Sequence, residues 1–134
     1  MTAIDPTLAL IQSAAELGAE LFALKMANSS LDAAIDVWTR RVAQRKYTPT
    51  ERSRLLKAVE RGTARETKEI QLTRAALLRA VGLEEGQAAA AAAAAGATTA
   101  EIGAVLGISR QGASLKIRSY RDRSDDGSQQ GGAS

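Results

Sequence analysis

The sequence predicts an all-α, multi-helix protein. Apolar residues recur at alternating steps of three and four along most of the chain, the spacing of one helix face. Strand-like alternation is scarce and there are only two prolines. Residues 88–95 are eight consecutive alanines, the strongest helix formers. Apolar content is 45% but only 3% of the chain is aromatic. The core is therefore expected to be thin and built from Leu, Ile, Val and Ala, which suits close-packed helices better than a ligand cavity. Four regions are expected: 1–47, 48–83, 84–123 and a tail at 124–134.

The first helix starts at Asp5-Pro6, with Asp5 as its cap and proline at the first helical position. Leu10, Ala14, Leu17, Leu21 and Leu24 form a heptad stripe that continues through Asn28, Leu31, Ile35, Trp38 and Val42. Two structures fit it. A single long helix would make a coiled coil with Asn28 in the seam. Alternatively, Asn28-Ser29-Ser30 breaks the stripe and a second helix folds back as a hairpin to about Tyr47. Three adjoining poor helix formers favour the break. Either form leaves unpaired apolar surface, so residues 8–42 are a candidate homodimer or docking region.

Thr48-Pro49-Thr50-Glu51 has capping-box spacing and opens a helix with Leu55, Leu56 and Val59 inside and Gly62 at its end. Thr63-Ala64-Arg65-Glu66 repeats the spacing, for a helix through Ile70, Leu77 and Leu78 to Gly82. Around this joint cluster Arg52, Arg54, Lys57, Arg61, Arg65 and Lys68. A helix N-terminus there could also take a phosphate. Net charge is +3 overall, but residues 40–79 carry +8 and residues 107–123 carry +4, while residues 1–39 carry −4. Phosphate responds to local charge, so the six cations are a candidate second DNA surface. The alternative is a self-solvating helix pair, with Arg74 and Arg79 pairing nearby glutamates.

Residues 84–95 should form a support helix ended by Gly96. Next comes T-T-A-E-I-G-A-V-L-G-I-S-R-Q-G-A-S-L-K-I-R-S-Y, residues 98–120. Thr99 can cap a short helix whose buried stripe is Ile102, Val105 and Leu106. Gly103 implies close approach of another helix. Gly107 ends the helix in the left-handed region, where glycine enters without strain. Ile108 dips inward, Ser109 caps the next helix, and Ala113 and Ile117 line its inner face. Two helices joined by so short a turn have helix-turn-helix geometry.

The string A-E-I-G-A-V-L-G-I-S-R-Q resembles the helix-turn-helix of bacterial and phage repressors, in a form common among actinobacterial and actinophage regulators. The resemblance covers residues 84–121. It implies a positioning helix at 98–106 and a recognition helix at 109–118. Ser109, Arg110, Gln111 and Ser114 would then meet bases in the major groove of double-stranded DNA. Thr98, Thr99, Lys116, Arg118, Arg121 and Arg123 would meet phosphate. Lys116 departs from the family, which often has an apolar residue there, and Ile117 takes the core role.

The expected function is sequence-specific binding of double-stranded DNA, as a transcriptional repressor and specifically one of a temperate phage. A packaging or partition adaptor and an antitoxin-like interaction module are the alternatives. The chain has no histidine and no cysteine, so the commonest acid–base group and the usual soft metal ligands are missing. Glu84-Glu85 and Asp125-Asp126 come without a base or phosphate loop. No enzyme, metal, cofactor or small-molecule substrate is expected. No uninterrupted apolar run reaches the roughly 18 residues of a bilayer span, and no signal segment is recognisable. The expectation is a cytoplasmic protein, host-cytoplasmic if phage-encoded, with no membrane partner. The tail from residue 124 has little to bury and is expected to be disordered.

Overall fold

The computed structural model describes the backbone of residues 6–132 and the side chains of residues 6–123. The chain is all-α. Its helices are α1 (Pro6–Val37), a π-helical segment (Trp38–Ala43), α2 (Pro49–Arg61), α3 (Thr67–Ala80), α4 (Gly86–Ala94), α5 (Thr99–Leu106) and α6 (Arg110–Gly132), with no strand among the described residues. Contacts divide it into two units, Met1–Ser30 and Leu31–Ser134.

The first unit is the N-terminal stretch of α1. The expected cap Asp5 lies outside the described residues. No described residue of this unit is buried, and Leu17 is 85% exposed. The favoured break at Asn28-Ser29-Ser30 is absent, because α1 runs through it without interruption. The Ser30 hydroxyl donates to the Ala27 carbonyl at 2.7 Å, so it is satisfied inside the helix. Low propensity is a weak prior, worth at most about 0.7 kcal/mol per residue for Asn or Ser. Burial of Leu31 and Ile35 directly after the three residues outweighs it. By length and composition α1 with the π-helical segment could cross a membrane.

The second unit holds two cores. In the first, Leu31, Ile35 and Trp38 pack with Leu55, Val59 and Ile70. Tyr47 lies against Trp38, with ring centroids 6.3 Å apart. The Arg45 guanidinium sits 4.1 Å over the Tyr47 ring and also pairs with Glu51 at 2.9 Å. The helix expected to reach Tyr47 instead ends at Gln44, a left-handed residue at φ 52°. Arg52 ties α2 back to α1, 2.9 Å from both Asp32 and Asp36.

The second core is mostly methyl groups. Ala75 of α3, Ala88, Ala89 and Ala92 of α4, Ile102 and Leu106 of α5, and Ala113 and Ile117 of α6 form it, together with Ala97. Alanine faces let helix axes approach closely, so α3 and α4 together support α5 and α6. Arg74 is buried beside this layer and donates to Gln71 and Gln87 at 2.7 and 2.6 Å. Burial pushes its guanidinium below the usual arginine range, opposed by Tyr120.

Four helix ends share one closure. Gly62, Gly82, Gly96 and Gly107 all have positive φ, and the next residue donates to the carbonyl five positions back. At the first of these ends the second expected capping box fails. Thr63 is committed to closing α2, its amide and hydroxyl both bonding the Ala58 carbonyl. Helix α3 therefore starts at Thr67, after Glu66, without a side-chain cap. The support helix begins at Gly86 rather than residue 84. The backbone expected to be disordered from residue 124 continues as helix through Gly132.

Candidate nucleic-acid interface

The site is built on α5, a turn at residues 107–109, and α6. Thr98, not Thr99, caps α5. The Thr98 hydroxyl accepts from the Glu101 amide at 3.1 Å, and the Glu101 carboxylate accepts from the Thr98 amide at 2.9 Å. Thr98 has Glu101 three residues on, whereas Thr99 does not, and that spacing was readable in the chain. The Glu101 carboxylate also takes Lys68 at 2.9 Å. The Lys68 hydrogen bond, then that to the Thr98 backbone, holds its carboxyl below the ordinary range.

Gly107, at φ 70°, closes α5, and Ile108 donates to the Gly103 carbonyl at 2.9 Å. A Cβ on Gly103 would lie 2.8 Å from the Ile108 carbonyl oxygen and 3.2 Å from that of Ser109. The close neighbour implied by this glycine is thus the turn itself. Ser109 caps α6, its hydroxyl accepting from Gly112 at 3.0 Å. Ala113 and Ile117 face the core, while Leu115 is exposed. Val105 was expected inside but is 41% exposed, on an open apolar groove with Leu72, Leu77 and Val42.

Helical spacing sorts the remaining side chains of α6. Arg110, Ser114, Arg118 and Arg121 lie three or four residues apart, with Gln111 beside them, so they share one face. Ser109, Arg110, Gln111, Arg118 and Arg121 are exposed, and Ser114 is half-buried. Their face flanks the core stripe: Arg110 precedes Ala113 by three residues and Arg121 follows Ile117 by four, while Gln111 and Arg118 stand farther out.

Several residues read as phosphate contacts have other roles. Lys116 and Arg123 fall on the other flank of α6. The Lys116 ammonium lies 2.7 Å from the Glu85 carboxylate, joined by Arg79 at 3.3 Å. Burial pushes the Glu85 carboxyl up, but the Lys116 hydrogen bond, a backbone amide and the two cations outweigh it, and the net shift is downward. Lys116 is therefore a strut between α6 and the start of α4. Arg123 is exposed and bonds the Ser119 carbonyl at 3.4 Å. At the N-terminus of α5 the anion position is filled by Glu101, so Thr98 and Thr99 are poorly placed for a phosphate. Nothing in the sequence separated Glu85 from its neighbour Glu84 as the buried anchor.

The proposed second surface also divides. Arg52 is tied to Asp32 and Asp36, and Lys68 to Glu101. Arg65 is 94% exposed with Glu66 at 3.6 Å. Arg54, Lys57 and Arg61 are exposed and spaced three and four apart on one face of α2. The phosphate-accepting helix start expected at residue 63 does not form there, and α3 begins behind the acidic Glu66.

No cluster of potential metal ligands occurs among the described residues. Comparison with protein families, curated proteins and solved structures gives no match.

Proposed function

We propose that this chain is a sequence-specific binder of double-stranded DNA, built on a helix-turn-helix of α5 and α6, and that it acts as a transcriptional repressor. The observation that carries this reading is the outward face of α6. Arg110, Gln111 and Ser114 stand together at the helix N-terminal end, flanking the core pair Ala113 and Ile117, with Arg110 and Gln111 exposed and Ser114 half-buried.

The chemistry follows from the side chains. Arg110 offers a two-pronged donor to guanine, Gln111 a donor and acceptor to adenine, and Ser114 suits either. Such contacts discriminate by roughly 1–3 kcal/mol each. Arg118 and Arg121 continue the same face and would hold backbone phosphate, setting affinity and register. A rigid support favours this use, because the alanine layer and the Lys116–Glu85 pair fix where α6 stands. Repression requires only occupancy of a promoter, and this small basic chain needs no further equipment for it.

Selection of bound sequences from a random duplex library tests the proposal. A defined motif, lost on Arg110→Ala, supports it. Enrichment of no motif, with no mobility shift on any duplex, overturns it and favours an interaction module of the antitoxin kind.

A further inference from the structure

The first unit carries an apolar seam with no occupant among the described residues. Leu10, Leu17, Leu21 and Leu24 are 70%, 85%, 59% and 57% exposed. They belong to the stripe that later includes Leu31, Ile35 and Trp38, and those three are buried within the second unit. At Leu31, Ile35 and Trp38, then, the stripe is covered by its own chain, and Val42 beyond them is exposed.

We propose that residues 10–28 of two copies of this chain pair as a parallel, in-register coiled coil. The alternating steps put Leu10, Leu17 and Leu24 at heptad position d, and Ala14, Leu21 and Asn28 at position a. Leucine at d with a single asparagine at a suits two parallel strands, because paired asparagines satisfy each other only when aligned. Charge makes the same choice. The charged residues of 6–30 are Glu16, Glu20 and Lys25. Glu20 falls at g and Lys25 at the following e, five residues on. In a parallel pair each g faces the partner's next e, so Glu20 meets the partner's Lys25, twice by symmetry. An antiparallel pair sets g against g and e against e, leaving both charges without an opposite partner. A bilayer is the rival occupant, since α1 has the length and apolar content. Glu16 and Glu20 lie well inside that stretch, where hydrocarbon disfavours them.

The chain has no cysteine, so single thiols can report the register. Leu10→Cys and Leu24→Cys, each alone in the full chain, should oxidise to a covalent dimer of twice the 14.0 kDa chain mass. Cross-linking of Leu10→Cys only when it is mixed with Leu21→Cys, which pairs a d position with an a position, signals an antiparallel pair and overturns the proposal. In sedimentation equilibrium the unmodified chain should run as a dimer and Leu17→Asp as a monomer. Since Leu17 is exposed, Leu17→Asp should keep the melting temperature of the second unit. Glu20→Lys should raise the dimer dissociation constant about tenfold, and adding Lys25→Glu should restore it. A monomeric unmodified chain overturns the proposal, as does a chain that is monomeric in solution but floats with phosphatidylcholine vesicles.

Discussion

The Lys116 ammonium stands 2.7 Å from the carboxylate of Glu85, whose side chain is 5% exposed. The pair joins the second turn of α6 to the cap of α4, so it fixes the proposed reading face from behind. Lys116→Ala should cost about 2 kcal/mol in thermal unfolding, because the buried Glu85 carboxylate loses its shorter charged hydrogen bond and keeps only Arg79 at 3.3 Å. The slope of DNA affinity against salt should barely move. A slope reduced by about one ion with unchanged stability would return Lys116 to phosphate.

Acid should undo this contact. The folded-state Glu85 carboxyl titrates below its ordinary value, so the unfolded chain takes up the proton first as pH falls. The pair's contribution is therefore complete above the unfolded carboxylate pKa, about 4.3, and is lost as pH drops through the lower folded value. Melting temperatures of the unmodified chain and Glu85→Gln should differ at pH 7 and converge toward pH 3. A constant gap would show that the charge does not matter.

Gly103→Ala tests the turn. In an exposed helix the change gains about 1 kcal/mol of propensity. Here the new Cβ meets two backbone carbonyls at 2.8 and 3.2 Å, neither of which can rotate away. A net loss of about 1–3 kcal/mol is expected, and a raised melting temperature would refute the close approach.

On DNA, Arg110→Ala should lower affinity for the selected site by about 1–3 kcal/mol and relax one base position. Arg118→Ala and Arg121→Ala should weaken selected and random duplexes alike, each flattening the salt slope by about one. Equal losses on both duplexes for Arg110→Ala would remove it as a base reader.

Helix type and helix ends were legible in the chain, for identifiable reasons. Gly62, Gly82, Gly96 and Gly107 follow the last apolar residue of their helices, and each takes positive φ. Local rules failed where one residue had two offers of employment. Thr63 matches a capping box but is already closing α2. Asn28-Ser29-Ser30 reads as a break, yet the buried residues after it carry the helix through. In the candidate site the exposure of Gln111 followed from the core phase of Ala113 and Ile117, whereas Arg110 shares that phase and is exposed at the start of α6. The partners of Arg52, Lys68 and Lys116 did not, since each is an acid on another helix. Pairing across helices depends on how they stack, which no short window of residues encodes.

The alanine layer of α4 has one last consequence. A methyl group has no rotamers, so this part of the interior orders without loss of side-chain freedom. For the same reason it has nothing to rearrange when a neighbour changes size. Larger side chains at Ala88, Ala89 or Ala92 would wedge whole helices apart, and homologous chains should vary there only between alanine, glycine and serine.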